Sequence, residues 1–112
     1  MTNNDWTRES PIAITVCDRK GIILEMNAAA ERSFGTRRML VGSNALDCHP
    51  EPARAKLAEL LATGRTNAYT IEKAGKKKLI YQMPWYEKGE IAGLVELSME
   101  IPAALPHFVR KP

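Results

Sequence analysis

Residues 11–27, PIAITVCDRKGIILEMN, constrain the fold more than any other part of the chain. Ile12, Ile14 and Val16 alternate with Ala13, Thr15 and Cys17, the period of two that marks a strand with one buried face. Asp18-Arg19-Lys20-Gly21 is a polar tetrad ending in glycine and predicts a tight turn, after which residues 22–26 resume an apolar strand. Asn27 stands before an Ala-rich run as a simple helix N-cap, and Glu31 falls one residue past the position that would complete a capping box. Everything downstream must pack on this strand–turn–strand–helix unit.

The rest of the chain alternates in kind. Residues 5–10 could form one helical turn with Trp6 as an anchor, or a frayed end. Gly35 is placed to stop the first helix, and Thr36 to cap a short second one ended by Gly42, followed by a turn at 43–47. Pro50 and Pro52 suit only a helix entrance, which Asp47 or His49 could cap, with Glu51 at the positive end of the dipole. Ala53, Leu57, Leu60 and Leu61 give a helical stripe ended by Thr63-Gly64. Three strands close the domain: 66–73, one carrying Leu79, Tyr81, Met83 and Trp85 on one face, and 91–100, separated by turns at 74–77 and 87–90. Pro84 sits late in its strand and points to an edge or a bulge.

This order resembles the PAS family. The matching positions are Asp18, Gly21, Ile23, Asn27 and Ala29, joined by His49-Pro50 before a helix that ends at a glycine. Read from the residues alone, five strands with helices between the second and third make an α+β fold, an antiparallel sheet with helices packed on one face. The resemblance adds the PAS-like five-stranded strand order 2-1-5-4-3, a cavity between sheet and helices, and a role as a sensory or regulatory module. On this reading residues 1–10 are an N-terminal cap segment, 11–101 the domain and 102–112 a proline-containing tail. Pro102, Pro106 and Pro112 forbid a long signalling helix there, so the chain is expected to be a stand-alone module or a fragment of a larger protein.

At 112 residues the chain is one domain, and a hydrophobic content of 45% is enough for a core without staples. Two cysteines, Cys17 and Cys48, in no CxxC pattern argue against a disulfide framework or a metal site and for a cytoplasmic protein. No apolar run reaches membrane-spanning length. A net charge of +3 is too mild to call for nucleic acid, and the clusters Lys76-Lys77-Lys78 and Arg37-Arg38 read as solvated surface.

No catalytic constellation is visible: the histidines are only His49 and His107, and the glycines fit neither GxGxxG nor the Walker pattern. An enzyme is therefore not expected. Cys48 and His49 are residue types that ligate haem. A His-Pro helix entrance explains Pro50 as well, which haem does not, so haem is possible but not favoured. Flavin photochemistry is rejected, because Asp47-Cys48-His49-Pro50 stands in place of the Asn-Cys-Arg-Phe signature of the light-sensing relatives.

The candidate pocket lining is Met26, Met39, His49, Leu57, Tyr81, Met83 and Trp85, suited to a small apolar or aromatic ligand, against the plainer reading of the same residues as core. The helices cover only one sheet face. The other carries Tyr69 or Thr70, Tyr81 or Ile80, and Leu94 or Leu97, depending on register. A homodimer through that face is expected, with a signalling protein as a further partner. A ligand-free dimerisation module is the alternative.

Overall fold

The structure, a computed structural model, describes residues 5–34 and 40–112. Strand β1 (Ala13–Asp18) and strand β2 (Ile23–Met26) pair antiparallel. Asp18 builds the turn between them: its Oδ1 accepts from the backbone N–H groups of Lys20 at 2.8 Å and Ile22 at 3.0 Å. Gly21 follows with φ +90°, in the left-handed region that favours glycine. A Cβ at this position would lie 2.9 Å from Asn44 Oδ1, so glycine is also needed for close approach of the next segment.

Asn27 does more than cap. Its Oδ1 accepts from Ala30 N at 3.0 Å, the N-cap bond of α2 (Ala28–Phe34), and from Ile14 N at 2.9 Å. Its Nδ2 donates to Ile12 O at 2.7 Å and to Thr7 O at 2.8 Å. One buried amide thus joins β1, α2 and the short helix α1 (Asp5–Arg8). Arg8 adds bonds to Met26 O and Glu31, while Trp6 is 74% exposed and anchors nothing on this domain.

Asn44 caps α3 (Ala45–Cys48) by accepting from Leu46 N. Helix α4 (Ala53–Thr63) begins after Pro52 without a side-chain cap, so neither Asp47 nor His49 plays the role expected of it. Instead Glu51 Oε1 accepts from Ala55 N. His49 is the C-cap of α3, and its Nδ1 lies 2.6 Å from Ala45 O. Gly64 ends α4 in the left-handed conformation. Leu57, Leu60 and Leu61 of α4 are buried with Ala29, Ala30 and Ala45 against Ala13, Cys17, Ile23, Met26 and Leu94, each leucine contributing about 2 kcal/mol. The expected short helix from Thr36, the stop at Gly35 and the Arg37-Arg38 cluster lie outside the described residues.

Strands β3 (Asn67–Lys73), β4 (Lys76–Glu87) and β5 (Glu90–Glu100) complete a five-stranded antiparallel sheet in the order β2-β1-β5-β4-β3. Both late hairpins turn on two residues with positive φ, Ala74-Gly75 and Lys88-Gly89. Pro84 sits past the last β3 pair, Asn67 opposite Gln82, and one residue before a bulge at Trp85/Tyr86. Those are settings in which a strand tolerates proline. Residues facing the helices include Ala13, Cys17, Ile80 and Leu94, all buried. By alternation the opposite face carries Ile14, Val16, Leu79, Tyr81, Met83, Val95, Leu97 and Met99. The tail does not cover it: Leu105, Phe108 and Val109 are 63%, 70% and 87% exposed. No helix among the described residues is long and apolar enough to cross a membrane.

Candidate functional site

Between the helix-facing side of the sheet and α3–α4 lies a cavity of about 220 Å³, lined on the helix side by Ala45, His49, Ala53, Lys56 and Leu57. It persists because β3 reaches beyond the helices: Tyr69 remains 44% exposed and Ile71 38%. The apolar wall is Ile23, Leu57 and Leu94.

The floor is polar. Pairing sets Asn67 opposite Gln82, Gln82 opposite Glu96, and Glu96 opposite Thr15, so one row crosses four strands. All of these side chains line the cavity. Asn67 Nδ2 donates to Gln82 Oε1 at 2.8 Å, and Gln82 Nε2 donates to Glu96 Oε1 at 2.7 Å. Each amide is held in one orientation by its neighbour, and the series ends on a carboxylate.

The contact at Ala45 O selects one tautomer of the neutral His49 ring. A ring nitrogen beside a carbonyl oxygen must carry the proton, so Nδ1–H donates to Ala45 O and Nε2 is left as an acceptor. Burial pushes the Cys17 thiol up, the Leu94 backbone opposes this, and the carboxylates of Asp18 and Glu96 add to the rise. Burial likewise raises the Tyr69 phenol, with Glu96 adding to it. Cys17 is thus a protonated wall residue rather than a nucleophile.

Of the residues proposed from sequence, His49 and Leu57 line this cavity. Met26 is buried in the core beside it. Tyr81, Met83 and Trp85 belong to the opposite face of β4, where Trp85 lines a separate groove with Asp18, Lys20, Leu24 and Glu87. Met39 lies outside the described residues. The polar row of Thr15, Asn67, Gln82 and Glu96 was not singled out. Its sequence signal is period-two spacing of polar groups within apolar strands, which becomes a row only once register is known.

A five-stranded sheet in this order, with α2, α3 and α4 inserted between the second and third strands and folded over one face to enclose a small cavity, defines an α+β module built around that cavity. A family model described as "PAS domain" matches residues 7–102, and the chain belongs to the PAS family. No curated protein matches it in sequence. Among solved structures, a C-terminal domain from Streptococcus mutans is similar at 24% identity and TM-score 0.69, with 84% of this chain and 78% of that one covered. The PAS domain of BvgS from Bordetella pertussis is similar at 20% identity and TM-score 0.63, covering 86% and 81%. The Aer2 receptor from Vibrio cholerae, described as a dual PAS-heme oxygen sensor, is similar at 19% identity and TM-score 0.56, covering 81% and 95%. At these identities the likeness carries the fold alone.

Proposed function

We propose that this PAS domain is a sensory or regulatory module in signal transduction. It binds a small ligand in the cavity under α3 and α4 and signals through protein–protein contact, without catalysis. The observation that carries this reading is the convergence of an ordered polar row with an apolar wall in one half-open space. A volume of about 220 Å³ lies below the roughly 300–1,000 Å³ of sites for drug-sized molecules, so the ligand is smaller than that class. Haem is larger, and it stays the less favoured cofactor even though His49 lines the cavity. Free Cys17 and Cys48 support a cytoplasmic location.

The outer sheet face supports a homodimer. Leu79, Met83, Val95 and Leu97 form an apolar surface there with Tyr81, which is 37% exposed, and no described segment covers it. The same face favours the second reading, a dimerisation module that needs no ligand. An absorbance spectrum and a native mass of the purified chain separate the readings. A dimer with a releasable small molecule and no Soret band is expected. A dimer that neither retains nor takes up any small molecule would favour the second reading, and a monomer would remove the dimer from both. Leu97→Asp should yield the monomer. The exposed Trp6 is the apolar anchor through which the N-terminal segment would add to this contact, and Trp6→Ala, expected to weaken the dimer, tests it better than deleting residues 1–10, because deletion would also remove the Thr7 carbonyl that Asn27 binds.

A further inference from the structure

The polar row ends on Glu96, a half-buried carboxylate on the sheet's central strand whose Oε1 accepts from Gln82. Among the described residues Glu96 takes part in no ion pair. The cation on the cavity rim does not answer it: Lys56 Nζ lies 3.6 Å from Glu59 Oε1 on the helix surface. A half-buried carboxylate with no ion-pair partner, lining a cavity with Leu57 and Leu94, is a place where a cation gains a charge-assisted hydrogen bond. Of the remaining lining groups, the Thr15 and Tyr69 hydroxyls can donate or accept, and two further atoms are acceptors. Asn67 Oδ1 accepts no hydrogen bond within the described residues, and in the neutral His49 ring Nε2 is an acceptor when Nδ1–H donates to Ala45 O. The cavity therefore asks for a ligand rich in N–H donors and positively charged. A bare metal ion would want more ligands than this, and no group of three or more His, Cys, Asp or Glu that could hold one occurs among the described residues.

We propose that the cavity recognises a small organic ammonium ion, a primary or secondary amine with a compact apolar body. Its N–H groups meet Glu96 and the Asn67 carbonyl, and its carbon skeleton lies against Ile23, Leu57 and Leu94. The inference rests on the ligand-binding reading above and specifies the charge and chemistry of the ligand. The amides of Asn67 and Gln82 hold the carboxylate in place before the amine arrives, so little ordering remains to be done on binding. Charge-assisted hydrogen bonds at a half-desolvated site are the strong kind, and they discriminate against a neutral isostere.

Calorimetric titration of the full chain with benzylamine, benzyl alcohol and benzoate tests this, since the three share one ring and differ in charge. Benzylamine is expected to bind at least about tenfold more tightly than benzyl alcohol, and benzoate least. In Glu96→Gln, which keeps an acceptor for Gln82, the amine should lose that preference while benzyl alcohol changes by less than about twofold. The three-probe comparison on the unmutated chain decides the matter even if Glu96→Gln folds poorly. Equal binding of amine and alcohol, or a preference for benzoate, would overturn the ammonium assignment and leave ligand binding standing. Binding of none of the three would count against both.

Discussion

Asn27 shows how much one side chain organises. A simple N-cap loses about 1 kcal/mol on replacement by Ala. Here the amide is buried and makes four hydrogen bonds, to α1, α2, β1 and the residue just before β1. Asn27→Ala should therefore destabilise by about 3 kcal/mol, because buried groups on β1 and α2 lose their partner. Asn27→Asp discriminates further. Aspartate is as good a cap, but it cannot donate to Ile12 O and Thr7 O, so it too should be strongly destabilising; an unchanged denaturation midpoint would return Asn27 to a plain cap. The cysteines give a second residue-scale prediction. Cys48 is exposed, whereas Cys17 is buried with its thiol raised above the usual 9.0. A disulfide reagent at pH 8 should modify Cys48 promptly and Cys17 only on unfolding. The sign for stability follows: a folded-state pKa above the unfolded value favours the folded state fully at lower pH, and that contribution fades as pH climbs past about 9. A stability that rose from pH 9 to 10.5 would contradict the assignment.

At the scale of elements, β5 carries a notch. A Cβ on Gly93 would lie 1.9 Å from Cys17 O and 2.6 Å from Trp85 Nε1. The bare backbone lets the Trp85 indole reach over β5 and donate to Cys17 O at 2.9 Å, tying β4 to β1 across the strand between them. Gly93→Ala should cost about 3 kcal/mol and shift the Trp85 fluorescence; a loss under about 0.5 kcal/mol would mean the crossing does not matter. Elements were also where sequence reading succeeded and stopped. The first hairpin, its glycine turn, the Asn27 cap and the Leu57–Leu60–Leu61 stripe are set by local rules and were legible. The packing of the Asn44-capped α3 against the first hairpin at Gly21 was not, because those residues are distant in sequence. The phase of β4 was hidden for a different reason. Tyr81, Met83 and Trp85 form its more apolar set and were assigned to the pocket, yet Gln82 faces the helices because that face is a cavity wall. Register completed the difficulty. Counting outward from Lys88-Gly89 pairs Gln82 with Val95; the extra residue Ala92 at the bulge sets it opposite Glu96. A local bulge decides whether the polar row exists, and no composition rule announces it.

For the whole molecule, strand order came from family resemblance and was matched by the structure, since periodicity identifies strands and not their neighbours. The helices lay their apolar stripe on one side of the sheet, which leaves the other face uncovered by them and a space beneath α3 and α4. Both follow from a single arrangement: α2 covers β1–β2, α4 lies across β4–β5, and most of β3 stays exposed. The central claim is that the space under α3 and α4 is a ligand site. Its most direct test is a thermal-shift screen of small amphipathic compounds against the unmutated chain and Leu57→Trp, which fills the cavity. Compounds present at about ten times their dissociation constant should raise the midpoint of the unmutated chain by roughly 5 °C and leave folded Leu57→Trp unmoved. A screen in which nothing raises the midpoint, or in which both chains respond alike, would contradict the claim.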